Sequence, residues 1–145
     1  MKLDHSVDSL EFVCKAVAKV LPSIGINKSC VSGTLFLVDV LREAGFTTAY
    51  PLTTGVCIEN AARVDWVREF GEPVNEAMIE ACNAAGGLTV NIGMANASEV
   101  GPDQWAGHLV VIIPAVRGRD YLIDLTIIQI NDHGAFKLPP IFAEV

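Results

Sequence analysis

The chain has 145 residues, enough for one domain that buries a real core without metal or disulfide staples. Apolar residues make up 51% and charged residues 19%, the balance of an ordinary globular protein. The net charge of −7, with basic residues scattered apart from Arg117 and Arg119, excludes the footprint of a nucleic-acid binder and argues against an anionic membrane surface.

Residues Met1 to Gly25 carry Asp4, Asp8, Glu11 and several lysines, so they do not read as a signal peptide. Nowhere does an apolar run reach the roughly 18 residues of a membrane span. Four cysteines, Cys14, Cys30, Cys57 and Cys82, stand far apart with no CxxC pair. The expectation is four reduced thiols in a cytoplasmic protein; a disulfide stays open if a leader has been removed.

In chain order, Ser6 caps an amphipathic helix with Asp8 in its first turn; Leu10, Val13, Cys14, Val17 and Leu21 follow at helical spacing, and Pro22 ends the pattern. After a loop from Ser23 to Ser29, a second helix runs from Val31 to Ala44 and closes at Gly45. Its polar residues form only a thin stripe, so it should be central and mostly buried. Thr47 to Ile58 reads as a strand bent at Pro51 or Gly55. Asn60 caps a short helix containing Val64, Val67 and Phe70. Pro73 then starts another, with Val74, Ala77, Met78, Ala81 and Cys82 on one face and Gly86-Gly87 at its end. Leu88 to Gly93 is a strand, Ala95 to Gln104 a polar loop, and Leu109–Ile113 and Tyr121–Leu125 two strong strands. The apolar tail from Lys137 to Val145 has no stop signal, which leaves open whether a natural protein continues. Helices first and a mostly antiparallel sheet after them make an α+β fold over a single domain, residues 1–145.

Three residues form a constellation. Cys30 sits at the mouth of the buried helix, where unpaired N–H groups and the positive end of the dipole favour thiolate and could bind an oxyanion. His108 and Asp124 bracket the last hairpin. A turn centred on Val116 sets Ile112 against Asp120, Val110 against Leu122 and His108 against Asp124, with Cβ atoms about 4.5–5.5 Å apart. A carboxylate there fixes the imidazole's tautomer and turns its other nitrogen toward the nucleophile. Each member alone has a plainer reading: a cysteine in an apolar stretch is usually core, a histidine beside a strand is usually structural, and Asp124 could simply bond Thr126. Cys14, Cys57 and Cys82 take the core reading. Secondary candidates are Gln104 as an oxyanion donor, Trp105 as a cleft wall or a shield, and Gln129 as a support for the site. A metal site from Cys57, Cys82 and His108 lacks ligand spacing, and no cofactor is implied.

The segment Lys28-Ser-Cys-Val-Ser-Gly-Thr-Leu-Phe-Leu-Val-Asp-Val-Leu-Arg-Glu-Ala-Gly-Phe46 resembles the nucleophile region of the transglutaminase-like superfamily. Gly107-His108-Leu-Val-Val resembles that family's histidine strand, and Tyr121-Leu-Ile-Asp124-Leu-Thr126 its aspartate strand, after which small bacterial members continue to a glutamine, here Gln129. The resemblance covers residues 28–58 and 104–131. It implies a papain-like architecture, with a Cys-bearing helix packed on an antiparallel sheet that supplies His and Asp. It also implies a catalytic triad of Cys30, His108 and Asp124 working through a thioester on a protein, peptide or small amide or ester. The expected activity is that of a cysteine peptidase or amidase. Transglutaminase- or arylamine-acetyltransferase-type transfer to an amine, and an inactive binding module on the same fold, are the alternatives. Leu109 and Val110 depart from the aromatic residues that commonly follow the family's histidine, the segment before Cys30 is short for an upstream oxyanion donor, and residues 59–87 do not align.

Overall fold

The computed structural model describes residues 5–25, 29–92, 107–134 and 136–145. Its elements are α1 (Val7–Val20), α2 (Cys30–Glu43), β1 (Tyr50–Thr54), β2 (Val56–Glu59), α3 (Ala61–Phe70), α4 (Glu76–Ala84), β3 (Thr89–Ile92), β4 (His108–Val116), β5 (Arg119–Asp124), a 3-10 helix (Ile127–His133) and β6 (Ile141–Glu144). This is a mixed α+β fold with an antiparallel sheet. Backbone contacts divide it into two compact units, Met1–Thr54 with His108–Val145, and Gly55–Gly107. None of the described helices is long and apolar enough to cross a membrane.

In the first unit the strand order is β1-β4-β5-β6, antiparallel throughout. Both helices begin as their sequences dictate. The Ser6 hydroxyl accepts the Ser9 amide, and the Ser29 hydroxyl accepts the Ser32 amide. The end of α2 is fixed by Gly45 at φ +103°, where the Phe46 amide reaches the Leu41 carbonyl and the Gly45 amide the Arg42 carbonyl. Leu10, Val13, Cys14, Val17 and Leu21 from the α1 region pack with Leu37, Val38 and Leu41 of α2 and with Val111, Ile113, Val116, Tyr121 and Ile123 of the sheet. The buried face of α1 is the one that helical spacing marks out; α2 buries Gly33, Thr34, Leu37, Val38 and Leu41 but leaves Leu35 45% exposed, so it is amphipathic and not mostly buried as expected.

The hairpin between β4 and β5 differs from expectation in register. Its two-residue turn is Arg117-Gly118, at φ +51° and +82°, the positive-φ pair of a type I′ turn, and not a turn centred on Val116. Val111 pairs with Ile123 and Ile113 with Tyr121. A bulge between Ile113 and Val116 absorbs one residue, with Ala115 at φ +60° and its amide bonded to Asp120 Oδ1 at 2.8 Å. The pairing is therefore displaced by two residues. Asp124 comes opposite Val110, the diagonal neighbour of His108, and because the shift is even both side chains still emerge on one side of the sheet.

The tail forms β6, an edge strand on β5 in which Tyr121 pairs with Glu144 and Asp124 with Ile141. Four residues after a Pro-Pro pair are too few to show a strand period, so this element was not legible in advance.

In the second unit β2 and β3 form a two-stranded antiparallel sheet. The expected strand over Thr47–Ile58 is two strands, divided at Gly55 and belonging to different sheets. Asn60 caps α3 through Oδ1, which accepts both the Arg63 and Leu88 amides at 2.9 Å. Helix α4 starts after Asn75, not at Pro73, because the Asn75 side chain accepts the Met78 amide. Val74 thus precedes the helix and is 82% exposed, not part of its buried face. Val64 and Phe70 on α3 are exposed as well.

Candidate active site

Cys30 is the first residue of α2, half-buried. Ser29 takes the Ser32 amide on its hydroxyl and the Gly33 amide on its carbonyl. The Cys30 and Val31 amides remain as first-turn donors at the helix mouth, where the dipole favours negative charge. One turn further on, the buried Thr34 hydroxyl donates to the Leu109 carbonyl at 3.0 Å and ties α2 to β4.

His108, the first residue of β4, is 0% exposed, and Asp124, the last of β5, is 2% exposed. His108 Nε2 lies 2.6 Å from Asp124 Oδ2. The diagonal register explains the choice of nitrogen. Diagonal Cβ atoms are farther apart than opposed ones, so the far side of the ring bridges the gap. The other carboxylate oxygen is fully engaged: Asp124 Oδ1 accepts the Thr126 amide at 3.0 Å, the Thr126 hydroxyl at 3.1 Å and the Ile127 amide at 2.9 Å. The local bonds to Thr126 and Ile127 and the pairing with His108 are therefore both present, one on each oxygen.

With Nε2 committed to Asp124, the nitrogen left for the thiol is Nδ1. Among the described residues it is the one buried side-chain nitrogen or oxygen with no partner at hydrogen-bonding distance and angle. The imidazole nonetheless acts on Cys30. Its interaction with His108 is the largest influence on the thiol and lowers its pKa below the ordinary value; partial burial opposes this, and a backbone hydrogen bond from Leu109 and the imidazole's charge assist it. Burial works against a charged His108, but the bonds and charges of Asp124 and Cys30 outweigh it and push its pKa up to about 9. Each partner thus favours the other's charged form.

The structure brings together Cys30, His108 and Asp124 from three elements of one unit. Gln129 lies half-buried on the 3-10 helix, its amide bonded to the Thr126 carbonyl at 3.0 Å; its side chain makes no hydrogen bond to Cys30, His108 or Asp124. Gln104 and Trp105 lie outside the described residues, as do the loop positions 26–28 and the whole of the polar loop. The bond between Asp124 and Thr126 was expected from sequence and is present, whereas Thr34 was not singled out. The role of Thr126 was signalled by its place two after Asp124, an Asx-turn spacing. For Thr34, the signal was a hydroxyl one helical turn after Cys30 on an apolar face.

The other cysteines divide. Cys14 is buried in the core, where burial and the neighbouring Glu11 push its thiol up to about 12, and Cys82 is buried too. Cys57 is exposed, contrary to its expected core position, because β2 belongs to a two-stranded sheet and leaves one face uncovered. Among the described residues no three His, Cys, Asp or Glu side chains gather as a metal site. No family model, curated protein or solved structure matches this chain.

Proposed function

We propose that the protein is a thiol-dependent acyl-transfer enzyme of the transglutaminase-like, papain-like kind, acting as a cysteine peptidase or amidase. The observation that carries this reading is the buried His108, held by Asp124 through Nε2 while Nδ1 has no hydrogen-bond partner and the ring lowers the Cys30 pKa. A purely structural buried histidine normally satisfies both nitrogens.

In this reading the Cys30 thiolate attacks the carbonyl carbon of an amide or ester, and the oxyanion forms against the amides at the mouth of α2. The proton on His108 Nδ1 passes to the departing nitrogen or oxygen as the carbon–leaving-group bond breaks, leaving a thioester on Cys30. Water then attacks the thioester and gives a proton to His108. The carbon–sulfur bond breaks, and the acid and the thiolate–imidazolium pair are regenerated. Asp124 keeps the ring oriented and its charge stabilised throughout. An amine in place of water makes the same thioester a transfer intermediate.

The test is to treat the folded protein with p-nitrophenyl acetate and locate the acetyl group by mass spectrometry. Acetylation confined to Cys30, absent in Cys30→Ala and His108→Ala, and removed by water or by an added amine, is the expected result. Acetylation spread over the exposed thiols, or unchanged in His108→Ala, turns the reading toward a silent binding module.

A further inference from the structure

Helix α2 is tied to β4 by one buried side-chain hydrogen bond, from Thr34 to the Leu109 carbonyl. In β4 the peptide groups of alternate residues point to opposite edges. Val111 faces Pro51 across β1, and Pro51 has no N–H to offer, so Val111 and its alternates, Leu109 included, direct their N–H and C=O groups toward β5. By Leu109, however, β5 has ended: its last residue, Asp124, comes opposite Val110, and the chain turns into the 3-10 helix. The Leu109 carbonyl needs another partner, and α2 provides it. Thr34 Oγ1 donates to the Leu109 carbonyl at 3.0 Å. Cys30 and Thr34 are one helical turn apart, so their side chains lie one above the other on the same face. The Thr34 hydroxyl thus takes the carbonyl that a further β5 residue would have met.

Resting on the acyl-transfer reading, we infer that Thr34 is a positioning residue: its hydroxyl, locked on the Leu109 carbonyl, seats α2 on β4 so that the Cys30 thiol, one turn earlier on the same face, is held toward His108. The bond is buried, with Thr34 4% exposed, so water cannot readily replace it. A valine at this place keeps the shape and burial but removes the donor, leaving the carbonyl unsatisfied and α2 free to shift.

The experiment compares the pH dependence of Cys30 alkylation by iodoacetamide, read by mass spectrometry, in the wild type, Thr34→Val and Thr34→Ser. The alkylation midpoint should rise by about one pH unit in Thr34→Val, an approximately tenfold loss of thiolate at a pH below both midpoints, and return in Thr34→Ser, which restores the hydroxyl. If the valine variant does not fold, Thr34→Ala, which leaves room for a water at the carbonyl, is read in the same way. A depressed wild-type midpoint that stays unchanged in Thr34→Val or Thr34→Ala overturns the role of Thr34 and leaves the acyl-transfer reading intact. A wild-type midpoint at the ordinary thiol value overturns both.

Discussion

Replacing Asp124 by asparagine and by alanine separates its two jobs. Oδ1 accepts three hydrogen bonds, from the Thr126 amide, the Thr126 hydroxyl and the Ile127 amide, and Oδ2 meets His108. Asparagine keeps the Oδ1 acceptor, so the 3-10 helix stays anchored and stability falls by only about 1–3 kcal/mol, the worth of one charge-assisted bond. Its Nδ2 is a donor, however, and forces the imidazole to accept at Nε2, which moves the ring proton to Nδ1 in the neutral form. The ring can then no longer take a proton from the thiol, and by analogy with triads elsewhere turnover falls about 10⁴-fold. Alanine orphans all three Oδ1 donors. At about 1–3 kcal/mol each, the loss is roughly 3–9 kcal/mol before any water enters, comparable to the whole stability of a small domain. Urea denaturation measures the stabilities, and nitrogen-15 shifts of the imidazole read tautomer and pKa. The His108 pKa is raised from its ordinary 6.5 to about 9, so its protonation stabilises the fold fully below about pH 6.5, and that stabilisation is lost as pH rises through about 9. In Asp124→Asn this pH dependence should shrink and the His108 pKa should fall. An Asp124→Ala protein as stable as Asp124→Asn, or a His108 in Asp124→Asn that still titrates near 9, refutes the reasoning.

Three further outcomes are expected. Cys30→Ala should abolish turnover yet change stability by less than about 1 kcal/mol, since the thiol is only half-buried, and should lower the His108 pKa below about 9 in an NMR titration because the sulfur helps to raise it. The pH profile of acyl turnover should be bell-shaped, rising through the lowered Cys30 pKa and falling as His108 loses its proton near 9; a rate that keeps climbing through pH 9 counts against the ion pair. Gly87→Ala puts a Cβ 2.5 Å from Cys82 Sγ and 3.0 Å from the Cys82 carbonyl, which should destabilise the unit spanning Gly55–Gly107 by about 1–3 kcal/mol and show as faster amide exchange in α4.

Capping residues, apolar spacing and Gly45 made α1 and α2 readable almost to the residue, because local hydrogen bonds and burial there agree. The sheet was harder. Asp124 and His108 could be paired from sequence by parity alone, but the register depended on a bulge at Ala115 and a turn at Arg117-Gly118. Neither leaves a strong signal: Ala115 and Arg117 are not residues one expects at positive φ. The Pro73 start failed because the Asn75 side chain supplies a better cap than proline's missing donor. Cys57 failed because an alternating strand hides nothing when its sheet has only two members. Thr126 was legible because its bond to Asp124 spans two residues, but Thr34 acts through a bond to the Leu109 carbonyl 75 residues away, which exists only once α2 has packed on β4.

The proposed function rests on activation of Cys30 by His108. The most direct measurement is the alkylation rate of each of the four cysteines against pH in the folded protein, in wild type and His108→Ala. Fast labelling of Cys30 is expected well below the ordinary thiol pKa of about 8.5, with slower labelling of the exposed Cys57, protection of buried Cys14 and Cys82, and loss of the Cys30 advantage in His108→Ala. Cys30 labelling no faster than Cys57, or unaltered by removal of His108, would contradict it.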